Sequence, residues 1–370
     1  MLLKQEDINY ILHPFIDSGQ VICDMGEVLP MVSTIQTTEE WLKEWKKLAQ
    51  NALRQNRYLH AGYYFKMAQT FLDLSTPELE SLYTQSLECF YHAFSDMGIN
   101  LENKNIPFGD GSLSCIILKS PEEKHKLIFC TDAWSYAEEF VAFLDPLVSE
   151  GFTVYLCDAP GQGSSFLKGL YSNENSDKYI SSLLDYFKIT SCIVCGYVVG
   201  CYWSSRAASY DDRIKQLILI NPIFDYVPLV RDITTPFIRL FMPIHRLLHL
   251  NPFSFENSKK TKRNYALYAI NNRFRIVKNI PTMMAYIDDI STYSLKDICP
   301  KIKQDVLLMS ASYTYINSES SLYRQDKAMI HAKSVTKFLF NPKRLSADDP
   351  ETGCTVEPRG LILQWLKEKL

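Results

Sequence analysis

The chain has 370 residues, 46% of them apolar and 22% charged, with a formal net charge of −3 at pH 7. That composition suits a folded protein with one large core and room for a smaller domain or insertions. The near-neutral balance leaves no footprint for nucleic acid, and no apolar run approaches the ~20 residues of a membrane span.

Met1-Leu2-Leu3-Lys4-Gln5-Glu6-Asp7 lacks the apolar segment of a secretory signal. The ten cysteines are scattered, and Cys115, Cys130, Cys157, Cys192 and Cys195 sit in apolar, strand-like runs. Thiols used as small hydrophobes suit a reducing, cytoplasmic setting. Cys192-x-x-Cys195 has the spacing of a redox or metal pair, but residues i and i+3 of a strand face opposite sides. His245 and His249 are spaced for one helix face, yet no further ligand follows them, and no cofactor or metal is expected.

Residues 1–102 read as a helical domain. Thr38-Glu39-Glu40 supplies a capping-type start, and Trp41, Trp45 and Leu48 follow at helical spacing. Tyr58 to Leu72 and Thr76 to Met97 give two more helices, the last with Pro77 suited to a first turn. This layer reads as a structural appendage or as the surface of a homodimer.

From residue 103 the period changes. Runs at 112–118, 126–130, 152–157, 191–195 and 216–220 read as strands, and segments at 136–148, 176–187 and 201–209 as helices. Apolar runs this continuous imply a mostly parallel sheet covered on both faces. Residues 226–297 interrupt the alternation with Pro236, Pro243 and Pro252 among apolar side chains, and read as a helical lid. Alternation resumes over 298–370, with strands at 305–309 and 335–340 and helices at 321–333 and 359–369. The core is therefore split into 103–225 and 298–370.

The run from Ser191 to Gly200 organises the rest. A buried strand ends in Gly196-Tyr197-Val198-Val199-Gly200 and passes into a helix. The two glycines allow a sharp turn and close helix–strand packing. This layout resembles the nucleophile elbow, Gly-x-Ser-x-Gly, of the α/β-hydrolases. Asp158-Ala159-Pro160-Gly161-Gln162-Gly163-Ser164-Ser165 is similar to the Asp-Gly-Pro-Gly-Gln-Gly-Glu-Ser loop of a branch that carries an N-terminal helical domain. That branch includes the fermentation-respiration switch protein, dihydroxypseudooxynicotine hydrolase and polyketide-cleaving hydrolases. Arg206-Ala207-Ala208, followed by Arg213-Ile214, and Tyr293-Ser294-Leu295-Lys296-Asp297 match the same branch, so the resemblance covers roughly residues 38–370.

The resemblance implies an α/β-hydrolase fold with its catalytic positions replaced. Val198 holds the nucleophile slot, Tyr313 stands nearest the acid slot, and Gly353 occupies the histidine slot. An isopropyl group cannot attack a substrate, and a triad works as a unit. Candidate pocket residues are Asp132, Trp134, Tyr197, Val198, Val199, Cys201, Tyr313 and Tyr315. The Val199 N–H can serve as half of an anion hole. Asp132 is either a general base or the cap of the helix near Tyr136. Cys201, in the first turn of the elbow helix, is a possible alternative nucleophile. Three functions follow: a non-hydrolytic protein binding a small organic molecule, aromatic or polyketide-like, with a cofactor-free cyclase, isomerase or lyase activity; a pseudoenzyme working by protein contact; and a hydrolase using Cys201.

Overall fold

The computed structural model describes residues 22–72, 76–133, 135–226, 240, 243–244, 275–311, 319–340 and 356–370. These fall into two compact units: one takes the helices up to Asn100 together with Phe241–Ile276 and Pro350–Glu357, and the other, Leu101–Leu240, Val277–Asp349 and Pro358–Leu370, holds the sheet with its flanking helices.

The first unit contains α1 (Met25–Thr34), α2 (Thr38–Arg54), α3 (Tyr58–Ala68) and α4 (Pro77–Asp96). The cap of α2 is Thr37, one residue earlier than the sequence suggests. Only Thr37 stands three residues before Glu40, so that its hydroxyl takes the Glu40 N–H while the Glu40 carboxylate takes the Thr37 N–H. Trp41 and Trp45 are fully buried, and the Trp41 indole donates to the Met67 carbonyl at 2.7 Å. Helix α1, which the sequence reading passes over, is tied to α3 by Glu27, which receives two bonds from Arg57 and one from the Tyr64 hydroxyl.

The second unit is built on one eight-stranded sheet, in the order β1-β2-β4-β3-β5-β6-β7-β8. The strands are β1 (Glu102–Phe108), β2 (Gly111–Leu118), β3 (His125–Cys130), β4 (Phe152–Cys157), β5 (Cys192–Tyr197), β6 (Ile214–Ile220), β7 (Asp305–Ala311) and β8 (Ser334–Phe340). Pairings β1–β2 and β2–β4 are antiparallel, and the rest are parallel. All six residues of β4 are buried, as a strand covered on both faces requires. Strand β1 is absent from the sequence reading because Glu102-Asn103-Lys104-Asn105 is polar and exposed, the pattern of a protected sheet edge.

The single helix expected over 136–148 is three short pieces: a 3₁₀ turn (Ala137–Phe140), α5 (Val141–Leu144) and α6 (Pro146–Ser149). Pro146 lacks the N–H that would continue α5. Then follow α7 (Gly163–Leu167), α8 (Lys178–Tyr186), α9 (Val199–Ala208), α10 (Met283–Ile290), α11 (Glu319–Ala328) and α12 (Val356–Lys369). Most of the lid segment lies outside the described residues. Its last part returns to the sheet unit through α10 and an isolated bridge between Asp225 and Ser294.

Candidate functional site at the strand–helix elbow

Strand β5 ends at Tyr197, and α9 starts at Val199, so Val198 alone makes the turn. Its backbone sits at φ 51°, ψ −107°. A β-branched residue at positive φ is strained, because its Cβ crowds its own backbone; such conformations cost of order 1–3 kcal/mol and persist only where the surroundings impose them. Here the surroundings are explicit. The Val198 N–H donates to the Ile220 carbonyl at 2.9 Å. A Cβ on Gly196 would lie 2.4 Å from the Ser204 Oγ, and one on Gly200 would lie 2.1 Å from the Cys130 carbonyl oxygen. Both glycines are required by contact, and together they press α9 onto β5 and β3.

Val198 and Val199 are half-buried, so the turn has an accessible face. Among the described residues, the Val199 and Gly200 N–H groups enter no backbone hydrogen bond outside the helix itself. They form the positive end of α9. Tyr197 is also half-buried, and its ring meets Phe140 edge-on at 5.4 Å, with Phe140 in turn 4.8 Å from Phe129.

Asp132 is half-buried on the segment after β3. The first-turn donors of the following 3₁₀ helix are taken by other carboxylates: the Tyr136 N–H by Glu139 at 2.5 Å and the Ala137 N–H by Asp158 at 3.0 Å. Asp158 thus has the capping contact that Asp132 was a candidate for.

Asp158 is 2% exposed and also receives the Ser164 N–H and hydroxyl. Burial pushes its carboxyl above the usual range, against those hydrogen bonds. Gln162 accepts from the Thr131 hydroxyl and the Ala159 N–H, and donates to the Thr131 carbonyl. At Gly163, where φ is +39°, a Cβ would meet the Asp158 carboxylate at 2.3 Å. The Asp-Ala-Pro-Gly-Gln-Gly loop therefore acts as a clamp on the segment after β3, at one wall of the elbow.

Cys201 is fully buried. Its thiol donates to the Gly196 and Ile220 carbonyls at 3.1 and 3.2 Å, and burial pushes its pKa well above the ordinary thiol value. A thiol held that way is a packing group, which counts against its use as a nucleophile. Cys192 and Cys195 are likewise buried. Trp134, Tyr313, Tyr315, Gly353, His245 and His249 lie outside the described residues.

One residue that the sequence reading did not single out lies at this end of the sheet. Tyr226, beyond the end of β6, is 7% exposed, and among the described residues its hydroxyl has no hydrogen-bond partner. Its ring meets Tyr202 of α9 at 6.3 Å and Tyr293 at 5.7 Å. Burial pushes its phenol well above the ordinary value; the charge of Asp132 adds to this, followed by Tyr293 and Cys201. No local sequence signal marks this tyrosine. Lys278 closes the aromatic cluster, 3.0 Å from Asp289, bonded to the Tyr293 hydroxyl and over its ring. Among the described residues no three His, Cys, Asp or Glu side chains gather as a metal site, and no helix is long and apolar enough to cross a membrane.

No family model matches the chain. The alpha/beta hydrolase xenA of Xenoacremonium sinensis is 23% identical over 239 residues, which cover 55% of this chain and 56% of that protein. The chain thus spans about half the length of that curated relative. Among solved structures, wild-type AbyA5 is similar with a TM-score of 0.67 at 12% identity, covering 89% of this chain and 86% of that one. The 2,6-dihydroxy-pseudo-oxynicotine hydrolase gives a TM-score of 0.63 at 14% identity over 95% and 93% of the two chains. Topology, elbow and these likenesses agree, and the chain has the α/β-hydrolase fold.

Proposed function

We propose that this chain is a non-hydrolytic member of the fold, which binds a small organic molecule, aromatic or polyketide-like, against the elbow. The observation that carries the reading is Val198 itself. The strained turn that presents a nucleophile elsewhere in the fold is kept here, at φ 51°, with a side chain that has no nucleophilic atom. By sequence, Tyr313 and Gly353 stand where the acid and histidine would, so the triad's own base for activating a hydroxyl is missing. Cys201 does not replace the serine, because its thiol is buried and already donates to two carbonyls.

What the elbow retains is the positive end of α9 beside a half-buried apolar surface and a nearby carboxylate, Asp132. Such a site holds an oxygen that gains negative charge and moves protons by a carboxylate, without a covalent intermediate. A cofactor-free cyclisation, isomerisation or elimination needs no more than that. Native mass spectrometry of the purified chain, after exposure to an extract of its producing cells, tests the reading. A discrete small-molecule adduct is expected, and one released with altered mass or retention identifies an enzyme. Retention of a second protein with no small molecule would overturn the reading in favour of a pseudoenzyme.

A further inference from the structure

Three thiols form a row across the sheet. Cys115 of β2 stands opposite Cys157 of β4, and Cys157 stands beside Cys130 of β3. Cross-strand partners project from the same face, so the three sulfurs lie on one side of the sheet, and all three residues are buried. Tyr179 of α8 borders the row: after burial, its phenol is pushed up by Cys130, Cys157 and Cys115, in that order.

The two pairings differ. The Asp158 N–H donates to the Ser114 carbonyl at 3.3 Å, so these two residues, one step along the register, are a hydrogen-bonded pair of the antiparallel ladder. The next pair, Cys115 and Cys157, is therefore non-hydrogen-bonded, the kind that brings side chains closest, with Cα atoms about 4.5 Å apart. That lies inside the span of about 4.4–6.8 Å that a disulfide bridges. The two thiols are within hydrogen-bond reach of each other, whereas Cys157 senses Cys130 only through its charge, and more weakly. Both are free thiols. Cys115 and Cys130 stand two strand spacings apart, roughly 10 Å, too far to share one metal ion.

We propose that Cys115 and Cys157 are a dithiol site that a hydroperoxide oxidises to a cross-strand disulfide, tying β2 to β4 where β4 runs into the Asp158 loop. In the first step the Cys115 sulfur, on the strand nearer the sheet edge, attacks one peroxide oxygen. The O–O bond breaks, the other oxygen leaves with the thiol proton as an alcohol or water, and Cys115 becomes a sulfenic acid. The Cys157 sulfur then attacks the Cys115 sulfur. The S–O bond breaks, water leaves with the second thiol proton, and the S–S bond forms. The two thiols lose two electrons, and the peroxide gains them. Burial holds Cys157 as the thiol, so the reaction is slow and waits on opening of the edge strands β1 and β2.

The test exposes the folded full-length chain to hydrogen peroxide, quenches with iodoacetamide and maps the peptides without reduction. A single cross-link is expected, joining the Cys115 and Cys157 peptides, with Cys130 left as a thiol. The oxidised chain should melt higher than the reduced one by roughly 5–15 °C, because the bond closes a loop of about 40 residues in the unfolded chain. A phosphine reductant should restore the original value. Cys115→Ala should abolish the cross-link and Cys130→Ala should leave it; the reverse pattern would overturn the proposal. Where a core variant fails to fold, the parent's peptide map decides alone. No cross-link in the folded chain, a Cys157–Cys130 cross-link, or one that forms only in urea would overturn it. So would a cross-link that leaves the melting temperature unchanged or lowers it, by showing that β2 and β4 must move to make the bond.

Discussion

The elbow's geometry makes Gly200→Ala a demanding test. An added Cβ would lie 2.1 Å from the Cys130 carbonyl oxygen, 2.7 Å from its carbonyl carbon and 2.8 Å from the Thr131 oxygen. Ordinary carbon–oxygen contact begins near 3.3 Å, so α9 must lift from β3 by about 1 Å. All three obstacles are backbone atoms, and Gln162 pins the Thr131 side of that backbone through both its hydroxyl and its carbonyl. Overpacking costs typically 1–3 kcal/mol, and more when nothing can rotate away, so about 3 kcal/mol is the expected loss. For a unit of this size that lowers the melting temperature by roughly 6–12 °C. Gly360→Ala is the control. Nothing lies within 4 Å of its added Cβ, in helix α12, and alanine there should be neutral or stabilise by about 0.5–1 kcal/mol. Differential scanning calorimetry on both variants decides. A Gly200→Ala protein melting within about 2 °C of the parent would refute the packing argument at the elbow.

Other outcomes follow from the same contacts. Asp158→Asn puts an amide N–H₂ against donors from Ala137 or Ser164, and should cost about 1–3 kcal/mol in urea denaturation. Cys201 should resist iodoacetamide in the native chain at neutral pH, read by peptide mapping, since its thiol is buried and engaged; selective modification there would restore it as a candidate nucleophile. Asp211 is held below the usual carboxylate range by its bonds from Arg213, at 2.9 and 2.7 Å, and from Ser181. A depressed folded pKa gives stability that is present above the unfolded value, near 3.9, and is lost as pH falls through the folded value. Asp211→Asn should therefore lower the melting temperature at pH 7, and the difference should shrink below about pH 4.

The sheet was legible because its central strands are continuous apolar runs, such as Cys192-Ile193-Val194-Cys195, that no exposed element tolerates. The elbow was legible because only glycine fits at 196 and 200, and that demand leaves a spacing in the sequence. Strand β1 was not legible, since an edge protected by Lys104 and Pro107 reads as a loop. Helix α1 was hidden by Pro30 in its interior. The role of the Asp158 loop could be named by resemblance but not explained. The explanation is the pair of side chains, Asp158 and Gln162, that hold the backbone after β3, a contact between distant segments. Tyr226 was illegible for the same reason: its unsatisfied hydroxyl is a property of what surrounds it, and its own sequence context, Phe224-Asp225-Tyr226, looks like any apolar segment after a strand.

Under the proposed function the elbow is kept for binding and not for a serine-type attack. The most direct test is to treat the parent chain and Val198→Ser with a fluorophosphonate and, separately, with a simple aryl ester. On that reading no covalent labelling of either protein and no ester turnover by the variant above the parent are expected, because by sequence Tyr313 and Gly353 stand where the acid and histidine of a triad would, and a lone carboxylate, Asp132, is a weaker base than a triad histidine. Stoichiometric labelling of Val198→Ser together with clear turnover would mean that a working acid–base pair faces the turn, and would contradict the account.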